Sequence, residues 1–570
     1  GFVRYSTVNE EKTGHADVSL GGKKIAWLQS YTYSDFGDMK MGDHYKSKYP
    51  DFGRRSQYIE NRGGIDYVVT SDDDRIQRFS GYKQWDIAQK LLFKQSDKVS
   101  HLLNIQYSNS TDVPRYDRLQ DTRNFGGSIG TTLRYAQWFY GPQTRLMGAY
   151  ELNAGQIGFL NDLKVNLNYQ DIKESRQQRE YRRYDRFDSR REHIKVIGFI
   201  IDGRKAWKNN ELNMGIDGQL NDVKSVADRK NINTGAISKL DTRYPDGTNK
   251  MNYFGIYAQH LLKIKNGKWI LNDGIRLQTV SLHSTIIDNS FFNLPVTDIK
   301  QTPFAVTGNL GLVYLPSANF RATGNLSSGF RAPNVDDAVR IFESSTATKR
   351  VLIPNADIDP EYTYNFDLGF SQSIPGKVFF ELTGFYTLFK NAIATAPFKL
   401  NGQDSIVYNS VKSAIYASQN VNKAYVRGIN ARLKVELSKT ISWDNTISQT
   451  YGRFKNSDGS KKPLDHVPPV FGKTGLTYTG KKLSTEFYCM FNGWKKIKDY
   501  NPDGEDNGQY ATPDGMPAWL TLNWRGSYTF SKNLALQGGV ENISDRNYRY
   551  FGSGFSAPGR NFIVALRASF

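Results

Sequence analysis

The feature that most constrains the fold of this chain is the sorting of its turns by length. Short turns of two to five residues alternate along the sequence with longer polar connections, and strand-like segments lie between them. Ten short turns lie near residues 20–24, 95–98, 159–162, 207–210, 265–268, 315–318, 374–377, 437–440, 479–482 and 530–533. The longer connections lie near residues 36–83, 112–136, 176–194, 222–250, 284–301, 331–361, 391–420, 455–467, 494–517 and 542–559, with a shorter one at 8–14.

Ten short turns and eleven longer connections join twenty-two strands. Because the two kinds of connection alternate along the chain, every longer connection lies at the same end of the sheet. An even strand number with loops sorted in this way is typical of a membrane barrel. Closure of the sheet also removes its edges, as a sheet embedded in lipid requires. We therefore predict an all-β fold, in which residues 1–570 form a 22-stranded antiparallel transmembrane β-barrel with short periplasmic turns and long extracellular loops.

The last ten residues, "NFIVALRASF", show the alternation that such a wall needs. One face carries Phe562, Val564, Leu566, Ala568 and Phe570, and the other face carries the residues between them. Ten residues in a tilted strand are enough to cross a bilayer. A strand at the edge of a soluble sandwich could have the same pattern, so the prediction depends on the whole set of turns.

Composition excludes several other classes of protein. Mean hydropathy is −0.58 and no apolar run approaches 18 residues, so a transmembrane helix is not expected. The single cysteine, Cys489, permits neither an intramolecular disulfide nor a CxxC zinc site. No Walker loop, HExxH or GxSxG motif is present, and we expect no enzymatic activity. The net charge of +19 fits either a nucleic-acid-binding protein or a surface that faces phosphorylated glycolipid, and a barrel favours the glycolipid.

Several motifs resemble the TonB-dependent outer-membrane receptors along the whole chain. The stretch "GGVENISDRNYRYFGSGFSAPGRNFIVALRASF", at 538–570, is similar to their closing signature. Further matches are "SSGFRAPN" at 327–334, "NVNKAYVRGINARLKVEL" at 420–437 and "PLDHVPPVFGKTGLTY" at 463–478. Other segments look like the receptors of Bacteroidetes-type bacteria and like the haem branch. In this family the terminal aromatic residue, here Phe570, is read as an assembly signal.

The resemblance implies a receptor in the bacterial outer membrane that imports a scarce ligand, energised by the TonB–ExbB–ExbD complex. An iron source, ferric siderophore or haem, is the expected cargo, with cobalamin as the alternative, and no resident cofactor is expected. The family carries a TonB box and a plug domain that are not present in this chain, and we expect the native protein to include them. Two other functions remain open: a scaffold barrel with a surface lipoprotein partner, and a plugless diffusion pore. The expected surroundings are outer-membrane lipid and lipopolysaccharide, and no nucleic acid.

The motif "FRAP", Phe330, Arg331, Ala332 and Pro333, comes directly after an alternating strand. In haem receptors of the family, FRAP and a later NPNL motif flank a histidine; here Asn355, Ala356, Asp357 and Ile358 stand at the NPNL position. Axial ligation of haem iron needs His, Met, Cys or Tyr, and residues 334–354 contain none of these. We therefore interpret FRAP as an element of the strand end and loop base. Arg331 could pair with Asp336 or Asp337, or with an anionic ligand.

Other candidate ligand-binding residues are placed in extracellular loops. His44 and His193 are the histidines that fall in long connections, and Tyr181 and Tyr184 are alternative haem ligands. The segment 173–193 is rich in arginine, and it could form a rim that attracts anions or could contact lipid phosphates. The sequence assigns no metal ligands.

Overall fold

The wall of the molecule is a closed antiparallel sheet. A computed structural model of the chain describes residues 1–45, 48–340, 342–345, 349–408, 411–455, 459–502, 504 and 506–570. Among these residues, twenty-two strands are hydrogen-bonded in sequence order around a barrel. The first strand closes the barrel against the last one, with Phe2 opposite Arg567 and Ser6 opposite Ile563. The predicted fold class and strand number are therefore confirmed.

The wall strands are numbered in chain order. They are β1 (Phe2–Ser6), β2 (Glu11–Gly21), β3 (Ile25–Phe36), β4 (Tyr82–Lys94), β5 (Val99–Ser110), β6 (Thr144–Ile157), β7 (Leu160–Glu180), β8 (Phe187–Trp207), β9 (Asn210–Lys230), β10 (Asn249–Ile264), β11 (Trp269–Thr285), β12 (Phe304–Ser317), β13 (Phe320–Arg331), β14 (Glu361–Ile374), β15 (Val378–Pro397), β16 (Val411–Glu436), β17 (Ile441–Lys455), β18 (Phe471–Thr479), β19 (Leu483–Asn492), β20 (Trp519–Ser531), β21 (Leu534–Glu541) and β22 (Asn561–Ala568).

The connections carry short elements of their own. Two helices, α1 and α2, span Tyr116–Leu119 and Val335–Ala338, and single 3-10 turns span Ile497–Asp499 and Gly508–Tyr510. The described helices include none that is long and apolar enough to cross a membrane. The short strands span Met39–Lys40, Gln57–Arg62, Ile65–Thr70, Ile76–Gln77, Val113–Pro114, Thr122–Asn124, Thr131–Leu133, Tyr135–Tyr140, Ile237–Lys239, Asp298–Gln301, Phe342–Ser345, Arg350–Leu352, Ser405–Tyr408, Lys461–Pro463, Lys495–Lys496 and Gly515–Met516.

The two ends of the barrel differ as the sequence predicts. At the short-turn end, each connection between described wall strands has two to four residues, such as 22–24 and 208–209. At the long-loop end, the connections include 37–81, 111–143 and 493–518. The predicted connection at 8–14 is wrong in its extent, because β1 and β2 meet through residues 7–10 alone.

Some wall strands extend further than the sequence pattern predicts. The predicted long connection at 176–194 is wrong, because β7 and β8 are each 21 residues long and only residues 181–186 join them. The same correction applies to 391–420, where β16 alone has 26 residues. Above the lipid both faces of a strand are polar, so the alternation in the sequence stops while the backbone hydrogen bonds continue. Pairs such as Arg229 with Asp188, at 2.6 Å, support the extended ladder across β8 and β9.

The two faces of the wall differ in polarity. In β22, Phe562 is 53% exposed and Val564 and Leu566 are also exposed, whereas Asn561 and Ala565 are buried. Since successive side chains of a strand point to opposite faces, the exposed apolar residues form the outer surface and the residues between them face the lumen. The alternation predicted for the last strand is confirmed, but the strand ends at Ala568 and leaves Phe570 beyond it.

Candidate ligand-binding site

The connections at the long-loop end pack into two groups. In the first cap, defined as residues 37–81, 111–143, 493–518 and 542–560, Phe52, Tyr500 and Met516 form a buried cluster. The Tyr510 hydroxyl also donates to the Asp117 carbonyl at 3.2 Å. Because these residues come from distant parts of the chain, their packing folds separate loops into a single covering layer.

The second cap consists of residues 231–248, 286–303, 332–360 and 398–410. Leu294, Val351 and Leu400 share a buried cluster with Ile415 of β16. The Arg350 guanidinium donates to the Pro502 carbonyl of the first cap at 3.0 Å. The two caps are therefore in contact above the barrel.

A buried ion pair anchors the first cap to the wall. Arg179 of β7 donates to both carboxylate oxygens of Asp66, at 2.5 and 2.8 Å. The Asn61 amide and the Arg182 backbone N–H also donate to Asp66, each at 2.9 Å. Asp66 is 0% exposed and Arg179 is 2% exposed. Burial acts to raise the pKa of Asp66, but the hydrogen bonds from Arg179 and its neighbours outweigh it, and the pKa is lowered.

A second buried pair anchors the second cap. Arg190 of β8 donates from Nε to the Asp241 carbonyl and from Nη2 to the Asp241 carboxylate, both at 2.9 Å. The Tyr408 hydroxyl donates to the same carboxylate oxygen at 3.0 Å. Asp241 therefore joins the wall to two loops, 231–248 and 398–410.

The FRAP motif forms the base of loop 332–360. Phe330 packs on Tyr362 of β14, with ring centroids 5.4 Å apart, and Ala332 and Pro333 are buried. Arg331 is the last residue of β13, and its guanidinium donates to Asp337 at 2.6 Å. Asn334 and Asp337 cap α2 reciprocally, with side-chain to backbone distances of 2.9 and 3.1 Å.

The residues at the NPNL position fasten the other end of this loop. The buried Asn355 donates its side-chain amide to the Ser418 carbonyl at 2.8 Å and its backbone N–H to Ala338 at 3.1 Å. The side-chain oxygen Oδ1 of Asn355 accepts the Asp357 backbone N–H at 3.1 Å. FRAP and Asn355 thus hold the two ends of one loop against α2 and β16.

The structure does not bring the predicted ligand residues together. His44 lies in the first cap and contacts the Ser544 carbonyl through Nδ1, at 2.9 Å. The placement of His193 in a loop is wrong, because it lies within β8, where its Nε2 is 2.8 Å from Asp171. Tyr181 is buried against Ile59 and Leu133, inside the first cap.

Tyr184 also has a structural partner. Its hydroxyl accepts the backbone N–H of Asp66 at 2.8 Å, next to the buried pair with Arg179. No group of three or more His, Cys, Asp or Glu side chains that could hold a metal ion occurs within the described part of the chain.

A pocket of about 340 Å³ lies on the inner face of the wall at the long-loop end. We call it the aromatic recess. Its lining residues are His466, Pro468, Phe471, Gly472, Met490, Phe491, Asn492, Trp519, Tyr550 and Phe551. Phe471, Asn492 and Trp519 are directly opposite each other on β18, β19 and β20. They lie on the face opposite the exposed Leu520, so the recess opens towards the lumen.

Trp519 is the most buried aromatic residue of the recess. It is 6% exposed and packs against Tyr548 and Tyr550, with ring centroids 4.4 and 5.1 Å away. Its indole N–H has no hydrogen-bond partner among the described residues. An unsatisfied buried donor costs free energy, which a hydrogen bond to water or to a ligand oxygen would recover.

A buried cation lies beneath the recess. The Lys495 ammonium donates to the Val467 carbonyl at 2.6 Å and lies 4.6 Å from the centre of the Phe551 ring. Burial lowers the pKa of Lys495. Sequence reasoning missed this site, because its residues come from four separated segments with no shared spacing.

A larger recess of about 890 Å³ lies on the wall around β17 to β22. Glu486 lies at its centre and accepts from Lys473 at 2.5 Å and from Arg525 at 2.6 Å. Arg4, Arg432 and other charged side chains complete the lining. This inner wall is therefore polar and charged, in contrast to the apolar outer surface.

Comparison with known proteins identifies the family. The family described as "TonB dependent receptor-like, beta-barrel" matches residues 85–543, which is most of the chain. The chain belongs to this family. The TonB-dependent receptor barrel therefore lies in the bacterial outer membrane, with its short turns in the periplasm and its caps outside the cell.

Two curated relatives share part of this barrel. The ferric enterobactin receptor PirA of Pseudomonas aeruginosa is 26% identical over 290 residues, covering 46% of this chain and 37% of PirA. The probable hemoglobin and hemoglobin-haptoglobin-binding protein 4 of Haemophilus influenzae is 25% identical over 304 residues, covering 46% of this chain and 29% of that protein. The chain therefore spans well under half the length of the curated relatives it matches.

The solved structures agree on the fold. The copper transporter OprC superposes with a TM-score of 0.75 at 14% identity, covering 100% of this chain and 79% of OprC. At this identity the likeness shows the fold alone.

Removal of Phe570 tests the prediction that this residue is an assembly signal. The side chain is fully exposed and lies beyond the last wall strand, so its loss removes no packing from the barrel. We expect the variant lacking Phe570 to refold in detergent like the wild type, but to be largely depleted from the outer membrane of cells. The amount of folded, heat-modifiable barrel is measured after refolding in detergent and in the outer membrane of cells. Phe570→Tyr is the control that keeps an aromatic residue at this position. Normal accumulation of the shortened barrel in cells would contradict the assignment.

Proposed function

We propose that this barrel belongs to a receptor that imports a scarce iron source, a ferric siderophore or haem, across the outer membrane. The observation that carries the proposal is the aromatic recess, which the first cap and the lumen side of a TonB-dependent receptor barrel line together. The printed names of the relatives, a ferric enterobactin receptor and a hemoglobin-binding protein, support an iron source. Haem or the ferric siderophore would be cargo, and the proposal includes no resident cofactor.

The chemistry of the recess favours a flat aromatic group. Its volume of about 340 Å³ is near the small end of the range for ligand pockets, so it suits part of a larger ligand. Trp519, Tyr550 and Phe551 offer ring faces and edges for stacking. The Trp519 N–H would donate to an oxygen of the ligand. A catecholate siderophore supplies both an aromatic ring and oxygen atoms, which makes it the favoured cargo.

Energised import requires a gate. A barrel of 22 strands encloses a lumen too wide for side chains to fill. We propose that a plug domain occupies the lumen against the charged wall around Glu486, and that the TonB–ExbB–ExbD complex acts on this plug. Ligand bound beneath the caps would then pass through the lumen when the plug moves.

Uptake by cells that carry the full-length gene tests the proposal. The probes are a radiolabelled ferric catecholate siderophore, haem and cobalamin, each supplied with and without an uncoupler of the proton-motive force. We expect uptake of an iron probe that stops on uncoupling. Uptake that persists after uncoupling would instead show a diffusion pore. Failure of every probe, with a stoichiometric surface lipoprotein that co-purifies, would instead show a scaffold.

Replacement of Trp519 by leucine tests the recess itself. The ring contact contributes roughly 1 kcal/mol beyond its buried area and the indole hydrogen bond about 0.5 kcal/mol, so their loss should weaken binding of the siderophore about tenfold. Affinity is measured by fluorescence titration of the purified receptor. Trp443→Leu is the matched control, because Trp443 is exposed on the outer surface. Equal affinity of the two variants would place the ligand elsewhere.

A further inference from the structure

Four lysines lie side by side across neighbouring strands of the wall. Lys390 of β15 is directly opposite Lys423 of β16, and Lys423 is directly opposite Lys455 of β17. Lys455 is in turn opposite Lys461 of the short strand Lys461–Pro463. All four side chains are exposed. We call this set the lysine row.

The lysine row faces outwards, towards the membrane. Leu388 and Tyr386 lie two and four residues before Lys390 on the same strand, and both are exposed apolar residues of the outer surface. Tyr451 lies four residues before Lys455 and is exposed in the same way. Because side chains of one strand alternate between its faces, residues an even number apart share a face. The lysines therefore continue the lipid-facing surface.

The height of the row matches the lipid headgroups. Lys390 is twelve residues beyond the start of β15 at Val378, whereas about ten residues of a tilted strand cross the hydrocarbon core. Just below the row, Tyr386, Tyr425 and Tyr451 form a band with ring centroids 5.9 and 6.2 Å apart. Bands of tyrosine mark the level where hydrocarbon meets headgroups.

The row is electrostatically unfavourable in the isolated barrel. Like charges directly opposite each other on paired strands repel and destabilise the sheet. None of these four ammonium groups has a carboxylate within 4.0 Å among the residues that the structure describes. The row therefore concentrates positive charge that no carboxylate among the described residues neutralises.

A concentration of lysines is not a general property of wall residues at this height, as another part of the wall shows. Across β7 to β10, Asp171 is opposite Lys195, Lys195 is opposite Asp222, and Asp222 is opposite Lys250. Lys195 lies twelve residues from the periplasmic end of β8 at Trp207, a level comparable to that of Lys390. Here positive and negative residues alternate, so the strands neutralise one another.

We propose that the lysine row is a docking surface for the phosphate groups of the glycolipid in the outer leaflet. Phosphate supplies negative charge that the described residues do not provide within 4.0 Å of the row, and the acyl chains of the same molecule would lie along Leu388 and the tyrosine band. Lysine binds phosphate as a point charge, and binding relieves the repulsion within the row. The inference depends on the outer-membrane location and is independent of the cargo that the receptor imports.

Native mass spectrometry of the full-length receptor in neutral detergent tests the proposal, with bisphosphorylated lipid A as the probe. The K423Q/K455Q variant removes the centre of the row. The K195Q/K250Q variant is the matched control, because it removes two lysines from the alternating part of the wall. Each lysine at an anionic surface contributes about a fivefold factor to affinity. We therefore expect lipid A to bind roughly thirtyfold more weakly to K423Q/K455Q, and its affinity for the control variant to change little.

Three outcomes would overturn the proposal. Equal weakening by both variants would show attraction to net charge rather than to the row. Unchanged binding of dephosphorylated lipid A would show that the acyl chains alone dock. Displacement of the lipid by inorganic phosphate would show a site for free anions. Thermal melting in neutral detergent separates binding from folding, because K423Q/K455Q should melt no lower than the wild type once the repulsion is reduced.

Discussion

The Asp241→Asn variant is expected to lose about 3–5 kcal/mol of local stability in the second cap, because it removes one partner of a buried ion pair. Asparagine keeps the shape of aspartate and one acceptor oxygen, so the change removes mainly the charge. The Arg190 guanidinium then remains buried without its counter-ion, and the Tyr408 hydroxyl competes with it for a single oxygen. Loops 231–248 and 398–410 should open together, since Asp241 holds both of them to β8.

Hydrogen exchange measures this opening loop by loop. We expect faster exchange in the second cap and unchanged exchange in loops 37–81 and 542–560 of the first cap. Lys239→Gln is the control, because it breaks a pair with Asp288 in the same cap that is open to solvent. Slow exchange in the Asp241→Asn variant would show that the packing of Leu294 and Val351 holds the cap without the ion pair.

The wall could be predicted from the sequence because lipid imposes a simple pattern on it. In β22, Phe562, Val564 and Leu566 recur at every second position on the outer face, and turns such as 208–209 recur at one end. Both signals are local. Outside the lipid the constraint is lost, which explains why the sequence pattern predicts a loop at His193 although this residue lies within β8.

The caps and the recess could not be predicted, because they depend on contacts between distant segments. Asp66 and Arg179 are 113 residues apart, and no spacing in the sequence relates the two residues. Trp519 joins the recess only when β18, β19 and β20 are in register. Pairing of this kind depends on three-dimensional packing, which single-sequence periodicity does not report.

The FRAP motif shows how a familiar pattern can be explained by architecture. Arg331 ends β13 and pairs with Asp337 of α2, and Asn355 fastens the far end of the same loop to β16. Both tasks are structural and need no iron ligand. The absence of His, Met, Cys and Tyr from residues 334–354 is consistent with that role.

The Asp66→Asn variant is expected to release the hairpin 57–70 from the wall, with a loss of about 3–5 kcal/mol of local stability. Asp66 receives four hydrogen bonds, two of them from Arg179. In the variant, an NH2 group replaces one acceptor oxygen and faces another donor, so repulsion adds to the loss of charge. Limited proteolysis within residues 57–70 of the intact receptor measures the release.

The pH dependence of protease resistance distinguishes loss of the Asp66–Arg179 pair from a general loosening of the first cap. The pKa of Asp66 is lowered in the folded protein, so its contribution is fully present above the ordinary pKa of aspartate and is lost as the pH falls through the lowered value. The wild-type hairpin should therefore resist protease at neutral and mildly acidic pH and open only in strong acid, whereas the Asp66→Asn hairpin should be open throughout. Asp72→Asn is the control, because Asp72 pairs with Arg78 in the same loop at the exposed surface. Equal protease resistance of the two variants at neutral pH would mean that the packing of Ile59 against Leu133 and Tyr181, not the charge, holds the hairpin.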